Sequence, residues 1–184
     1  MRKLIFPLVI SLGVGLAVVL IVLLCLTLDA AFAADRPRVA LPPVHPLTAD
    51  CVADAAREYG LPLAALFGIL AAENGRTGEA RRNANGTWDL GAFQVNTVHI
   101  NALLRRGFNA EAVLRDGCVN ARAAAWVLRR EFERTGDIWT ALGAYHSRTP
   151  DLRDAYIDKV RKHLTRLGAA EASLMPGTGA EAVR

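Results

Sequence analysis

The sequence predicts an all-α domain, α+β at most, running from Leu47 to Gly168. Three observations carry that expectation. Apolar residues recur at three- and four-residue steps through most of the stretch. Cap residues and glycine or proline stops punctuate it at helix-length intervals. Runs of strand-like alternation are missing, save around the Asn85-Gly86 turn, where a small hairpin is expected.

What precedes the domain reads differently. Arg2 and Lys3 stand before an apolar run from Leu4 to Leu28, and Ala31-Phe32-Ala33 offers a small-residue cleavage site before Ala34. Positive end, apolar run and small residues together make an export signal. The run is also long enough to span a bilayer. Residues 1–33 are therefore a signal peptide or a signal anchor, the second with Arg2 and Lys3 inside and the inner membrane as partner. Both readings put the domain in the periplasm. Residues 34–46 contain four prolines and no periodicity, as a linker does. Residues 169–184 are small and polar, with little to bury, and are expected to be disordered.

Within the domain, Thr48 caps a first helix that ends at Gly60, with Leu47 and Val52 placed as a hydrophobic staple. Pro62 opens a second, carrying Leu63, Leu66, Leu70 and Glu73 on one face, with Gly75 as its stop. The segment 75–91 is not helical. Asn96 caps a helix over 97–105, and Asn109 caps a short one that ends near Asp116-Gly117. A long helix follows over 119–134, with Val119, Ala123, Trp126, Val127 and Arg130 on one face. Asp137 caps a helix over 138–145. Thr149-Pro150 starts the last, on which Leu152, Tyr156, Val160, His163 and Leu167 share a face until Gly168.

Composition narrows the function classes. The 184 residues are 52% hydrophobic and 22% charged, enough for one domain with a proper core. Net charge is +4, or +3 once Arg2, Lys3 and Asp29 leave with a signal, which suits an anionic polymer. The basic residues are dispersed among acids and lack interleaved aromatic rings, so nucleic acid is not an expected partner. Cys51 and Cys118 remain after export. In an oxidising compartment they pair as one disulfide, the alternative being two free buried thiols. The histidines His45, His99, His146 and His163 are scattered without the spacing of a metal site, and no nucleotide-binding loop is present, so no metal or cofactor is expected. His99 and His163 read as ordinary surface or half-buried residues.

One acid stands out. Glu73 lies on the apolar face of its helix, where an ionised carboxylate must be paired or hold a raised pKa. It also occupies the last turn, whose carbonyls disfavour negative charge. Both influences favour a carboxylic acid that keeps its proton near neutral pH, as a general acid must. The alternative is a solvated surface glutamate. After it come Asn74, Asn83, Asn85, Gln94 and Asn96, amides of the kind that pair with sugar hydroxyls and N-acetyl groups. Trp88, Tyr145 and Tyr156 combine an apolar body with a polar tip.

Three segments, Glu73-Asn74-Gly75-Arg76, the run Asn83 to Asn96 with Asp89 and Gly91-x-Phe93-Gln94, and Ala144-Tyr145-His146-Ser147, resemble the soluble lytic transglycosylase family. The likeness extends to Cys51, to Asp116-Gly-Cys118-x-Asn120 and to Tyr156. Within the family it is closest to the small members that accompany conjugation and protein-secretion machines. The resemblance implies a lysozyme-like fold, and cleavage of the bond between N-acetylmuramic acid and N-acetylglucosamine in peptidoglycan, with a 1,6-anhydro product. It implies Glu73 as catalytic acid, and Gln94, Asn96, Tyr145, His146, Tyr156, Phe93 and Asp89 as substrate-binding. Glycan strands, and proteins of a secretion or conjugation apparatus, are the implied partners. His146 and Asn74 depart from the commonest residues at their positions, as the small secretion-linked members also do. Bland readings stand beside these: Phe93, Tyr145 and Tyr156 as core, Gln94 and Asn96 as loop or cap residues, His146 as a helix-terminal cap. Asp89 is either a turn residue or the second carboxylate of a hydrolase.

Overall fold

The computed structural model describes residues 21–23 and 42–168. Ile21–Leu23 are helical and exposed. The rest of the expected export segment, residues 34–41 of the linker and the tail 169–184 lie outside the described residues. Among the described residues no helix is long and apolar enough to cross a membrane.

From Pro42 onward the chain forms helices α1 (Ala49–Glu58) and α2 (Leu63–Glu73), then strands β1 (Ala80–Arg82), β2 (Trp88–Leu90) and β3 (Val95–Asn96). A 3-10 turn over Thr97–His99 leads into α3 (Ile100–Leu104), followed by α4 (Ala110–Arg115), α5 (Gly117–Thr135), α6 (Ile138–His146) and α7 (Pro150–Arg166). The strands form one antiparallel sheet in the order β1-β2-β3. Caps set the helix starts. Thr48 accepts from the Cys51 N–H, Asn109 from Glu111 and Ala112, and Asp137 from Thr140. Asp116 accepts from Cys118 and Val119, so α5 begins at Gly117, two residues before the expected start.

α5 is the central rod. Ala121 and the run from Ala123 to Leu128 are all buried, so it is enclosed nearly all round where the sequence suggests a single stripe. Its alanines let α1, α4 and α6 pack closely around it. α7 lies against α2 and α6. The α2 approach depends on Gly68, where a Cβ would stand 2.8 Å from Val160 Cγ1. Tyr156, Val160 and Leu164 form the buried face of α7, while Leu152 and Leu167, expected on it, are exposed near the ends of the helix.

Other expectations change in detail. α2 buries Ala65, Leu66, Gly68, Ile69 and Ala72, leaving Leu63 exposed and Glu73 on the flank of the stripe. Asn74, with φ 52°, supplies the left-handed residue that ends this helix, the role expected of Gly75. The hairpin gains a third strand, because Asn96 pairs with Asp89 as well as capping the turn after it. Residues 42–46 are docked: the His45 N–H donates to Arg115 C=O and its carbonyl accepts from Gly117 N–H. Cys51 and Cys118 form a disulfide that joins the first turns of α1 and α5.

Candidate active site

The end of α2 presents Glu73 half-buried at a polar cleft of about 220 Å³. The Tyr156 hydroxyl, reaching across from α7, donates to Glu73 Oε1 at 2.7 Å. His146, the last residue of α6, stacks its ring on the Tyr156 ring, with centroids 4.7 Å apart and planes 4° from parallel. Burial pushes the Glu73 carboxyl above its ordinary range. The Tyr156 hydrogen bond and the charges of His146 and Lys159 oppose this only in part, and the charge of Asp89 adds to it. Burial, reinforced by the negative charge of Glu73, also holds the Tyr145 and Tyr156 phenols well above their usual value. Both therefore remain O–H donors at any working pH.

Opposite Glu73, the turn between β2 and β3 is fixed from beneath. Asn120 on α5 is fully buried and uses its whole amide: Nδ2 donates to Leu90 C=O and Val113 C=O, and Oδ1 accepts from Phe93 N–H. Tyr145 donates its hydroxyl to Phe93 C=O at 2.9 Å. Gln94 adopts φ 50°, an uncommon conformation for a residue with a Cβ, and its side chain donates to Gly91 C=O. Gly75 lies against this turn so closely that a Cβ there would stand 2.4 Å from Gly91 O.

The sheet adds one row of side chains. Arg81, Asp89 and Asn96 are partners in a single rung across the three strands. Asn96 Nδ2 donates to Asp89 Oδ1 at 2.7 Å and to Thr87, while its Oδ1 accepts from Val98 N–H. Asp89 Oδ2 lies 3.8 Å from the Arg81 guanidinium.

Of the residues expected at the site, Glu73, Asp89, Gln94, Asn96, Tyr145 and His146 line the cleft. Tyr156 stands behind Glu73 and reaches the cleft only through it. Phe93 is a correction: its ring is fully buried in the core and cannot serve as a sugar platform. Its contribution is backbone, an N–H and a C=O held by Asn120 and Tyr145. Asn83, one of the amides the sequence singles out, lines the cleft too, and two further polar lining residues were not expected there: Arg81 and His99. The His99 imidazole is held below its usual pKa by burial and by the charge of Arg130, against the charge of Glu131, and this lowering favours its neutral form. Arg81 had only an indirect signal: a two-residue turn at Asn85-Gly86 would set Arg82 opposite Asp89, and the observed three-residue loop shifts the register by one so that Arg81 stands there. His99 carried no such signal.

The site thus pairs one carboxyl of raised pKa with a cleft of amides and imidazoles. The sequence pattern of the transglycosylase SLT domain matches residues 50–162, a span that contains every one of these side chains. The chain belongs to the transglycosylase SLT family. Members of the SLT family are lytic transglycosylases, and their substrate is peptidoglycan. Similar chains include Invasion protein IagB of Salmonella typhimurium, 28% identical over 129 residues, which are 67% of this chain and 81% of IagB. Protein IpgF of Shigella flexneri is 32% identical over 102 residues, 55% of this chain and 67% of IpgF. The X polypeptide of Escherichia coli is 29% identical over 140 residues, 70% of this chain and 80% of that protein.

Proposed function

We propose that this protein is a peptidoglycan lytic transglycosylase that cleaves the bond between N-acetylmuramic acid and N-acetylglucosamine. The observation that carries the reading is the Glu73 carboxyl, half-buried at the cleft and held through Oε1 by Tyr156. With Oε1 accepting from the phenol, Oε2 carries the proton and gives it to the glycosidic oxygen. The 2-acetamido carbonyl of the muramic sugar supports the positive charge that develops at the anomeric carbon. Glu73, now a carboxylate stabilised by the Tyr156 hydroxyl, takes the proton of the sugar's own 6-hydroxyl as the 1,6-anhydro ring closes. No water is consumed.

Asp89 is the other carboxylate that lines the cleft among the described residues, and Oδ1 is occupied by Asn96. Its surroundings are those of a residue that orders the sheet. A muramidase reading, with Asp89 placing a water, rests on its presence in the same cleft. The resemblance to small apparatus-linked transglycosylases, together with a relative named as an invasion protein, supports work beside a secretion or conjugation apparatus. The apolar segment read as an export signal at residues 1–33 supports a periplasmic domain, released or anchored to the inner membrane.

Glu73→Gln tests the catalytic role. Turnover of purified peptidoglycan falls by about 10²–10⁴-fold while wall binding is retained, as expected when a general acid is removed. Unchanged turnover removes Glu73 from the chemistry. Wild-type protein that binds the wall and never cuts it makes the protein a scaffold.

A further inference from the structure

The reaction proposed above uses Glu73 and the groups around it, and leaves Arg81 unexplained. Arg81 is the one arginine or lysine among the described residues that line the cleft. It stands on the edge strand β1, at the outer end of the Arg81–Asp89–Asn96 rung. The other members of the rung are committed. Asn96 spends both amide hydrogens and its oxygen inside the protein, and Asp89 accepts from it through Oδ1. Among the described residues the Arg81 side chain has no hydrogen-bond partner. The nearest Asp89 oxygen is 3.8 Å away, and the arginine side chain is 64% exposed. An ion pair that long and that open contributes little to stability. It leaves the guanidinium its planar set of five donors, which fits a carboxylate in two-point contact.

From this placement we propose that Arg81 binds a carboxylate of the peptide stems on the glycan strand, so that the enzyme selects strands carrying charged stems. The inference rests on the reading of peptidoglycan as substrate. The sugars offer hydroxyls and acetamides, which the amides and the His99 imidazole of the cleft match. A guanidinium can donate to those oxygens as well, but its charge is matched only by an anion. The anionic groups of stem-bearing peptidoglycan lie on the peptides. Arg81 lines the cleft from the outer strand of the sheet and is mostly open to solvent, so a substituent of a bound glycan has access to it.

The test separates charge from peptide and binding from cleavage. Soluble glycan strands with stems are acetylated at their amines, and half are then treated to turn the stem carboxylates into primary amides. Affinities for both are measured with Glu73→Gln protein and with the Glu73→Gln/Arg81→Gln and Glu73→Gln/Arg81→Lys double variants. The expected result is an affinity about fivefold lower for the carboxylate strands with Arg81→Gln, an effect much reduced with Arg81→Lys, and equal binding of all three proteins to the amidated strands. Equal losses on both strands, or no loss on either, overturn the proposal. Because these proteins do not cut, the comparison is decided even if the wild-type enzyme proves unable to cleave glycan.

Discussion

Glu73 is under opposed influences, and their balance sets its use. Burial favours the protonated acid, while the Tyr156 hydroxyl at 2.7 Å favours the carboxylate. A general acid must hold its proton, so activity falls as pH rises through the Glu73 pKa, and that limb lies above the ordinary carboxylate range. Tyr156→Phe removes the influence that favours ionisation. The limb then moves to still higher pH, and maximal turnover falls about tenfold because the carboxylate formed during cleavage loses its donor. A pH–rate profile of the variant checks both effects; a tyrosine that serves only as core would leave the limb where it was. At this scale the role of Glu73 was implied by the family resemblance, whereas its partial burial was legible, because its spacing from Leu66 and Leu70 puts a carboxylate on an apolar helix face. The hydrogen bond from Tyr156 was not, because it spans 83 positions of the chain and only the family resemblance linked the two.

The turn between β2 and β3 is the element that makes a cleft out of an acid. It is held by Asn120 beneath, by Tyr145 at Phe93 and by the close contact of Gly75 with Gly91. Gly75→Ala forces a Cβ against backbone oxygens of Gly91 and Ala92. The expected cost is about 1–3 kcal/mol of stability, as for other overpacked sites. The cost to activity is larger: kcat/KM drops about 100-fold as the turn and Gln94 shift relative to Glu73. Urea unfolding and steady-state kinetics on the same preparation separate the two effects. Helix starts were legible because capping is local, and Thr48, Asn109 and Asp137 all make the bonds their positions suggest. β3 was not, being two residues long and ending in an asparagine that reads as a cap. Nor was the burial of α5 on more than one face, since alanine contributes no stripe by which to recognise a buried face.

At the scale of the whole molecule, the site exists because α7 packs on α2 closely enough to bring Tyr156 to Glu73, and because α5 supports the sheet from below. The disulfide between Cys51 and Cys118 joins α1 to α5, closing a loop over a separation of 67 residues. Replacing both cysteines by alanine is expected to cost about 4 kcal/mol through the loop-closure entropy returned to the unfolded chain. Denaturant titration reads that loss, while activity per folded molecule persists, since neither cysteine lines the cleft. The all-helical frame was legible from periodicity and caps. The assembly of the site from α2, the sheet, α6 and α7 was not, because it depends on contacts between segments far apart in the chain. The central claim is that Glu73 acts as acid and then as base in a reaction without water. Mass analysis of the glycan ends released from purified peptidoglycan tests it most directly. The account predicts 1,6-anhydro-muramic ends, lighter by one water than hydrolysed ends; reducing muramic ends alone would contradict it.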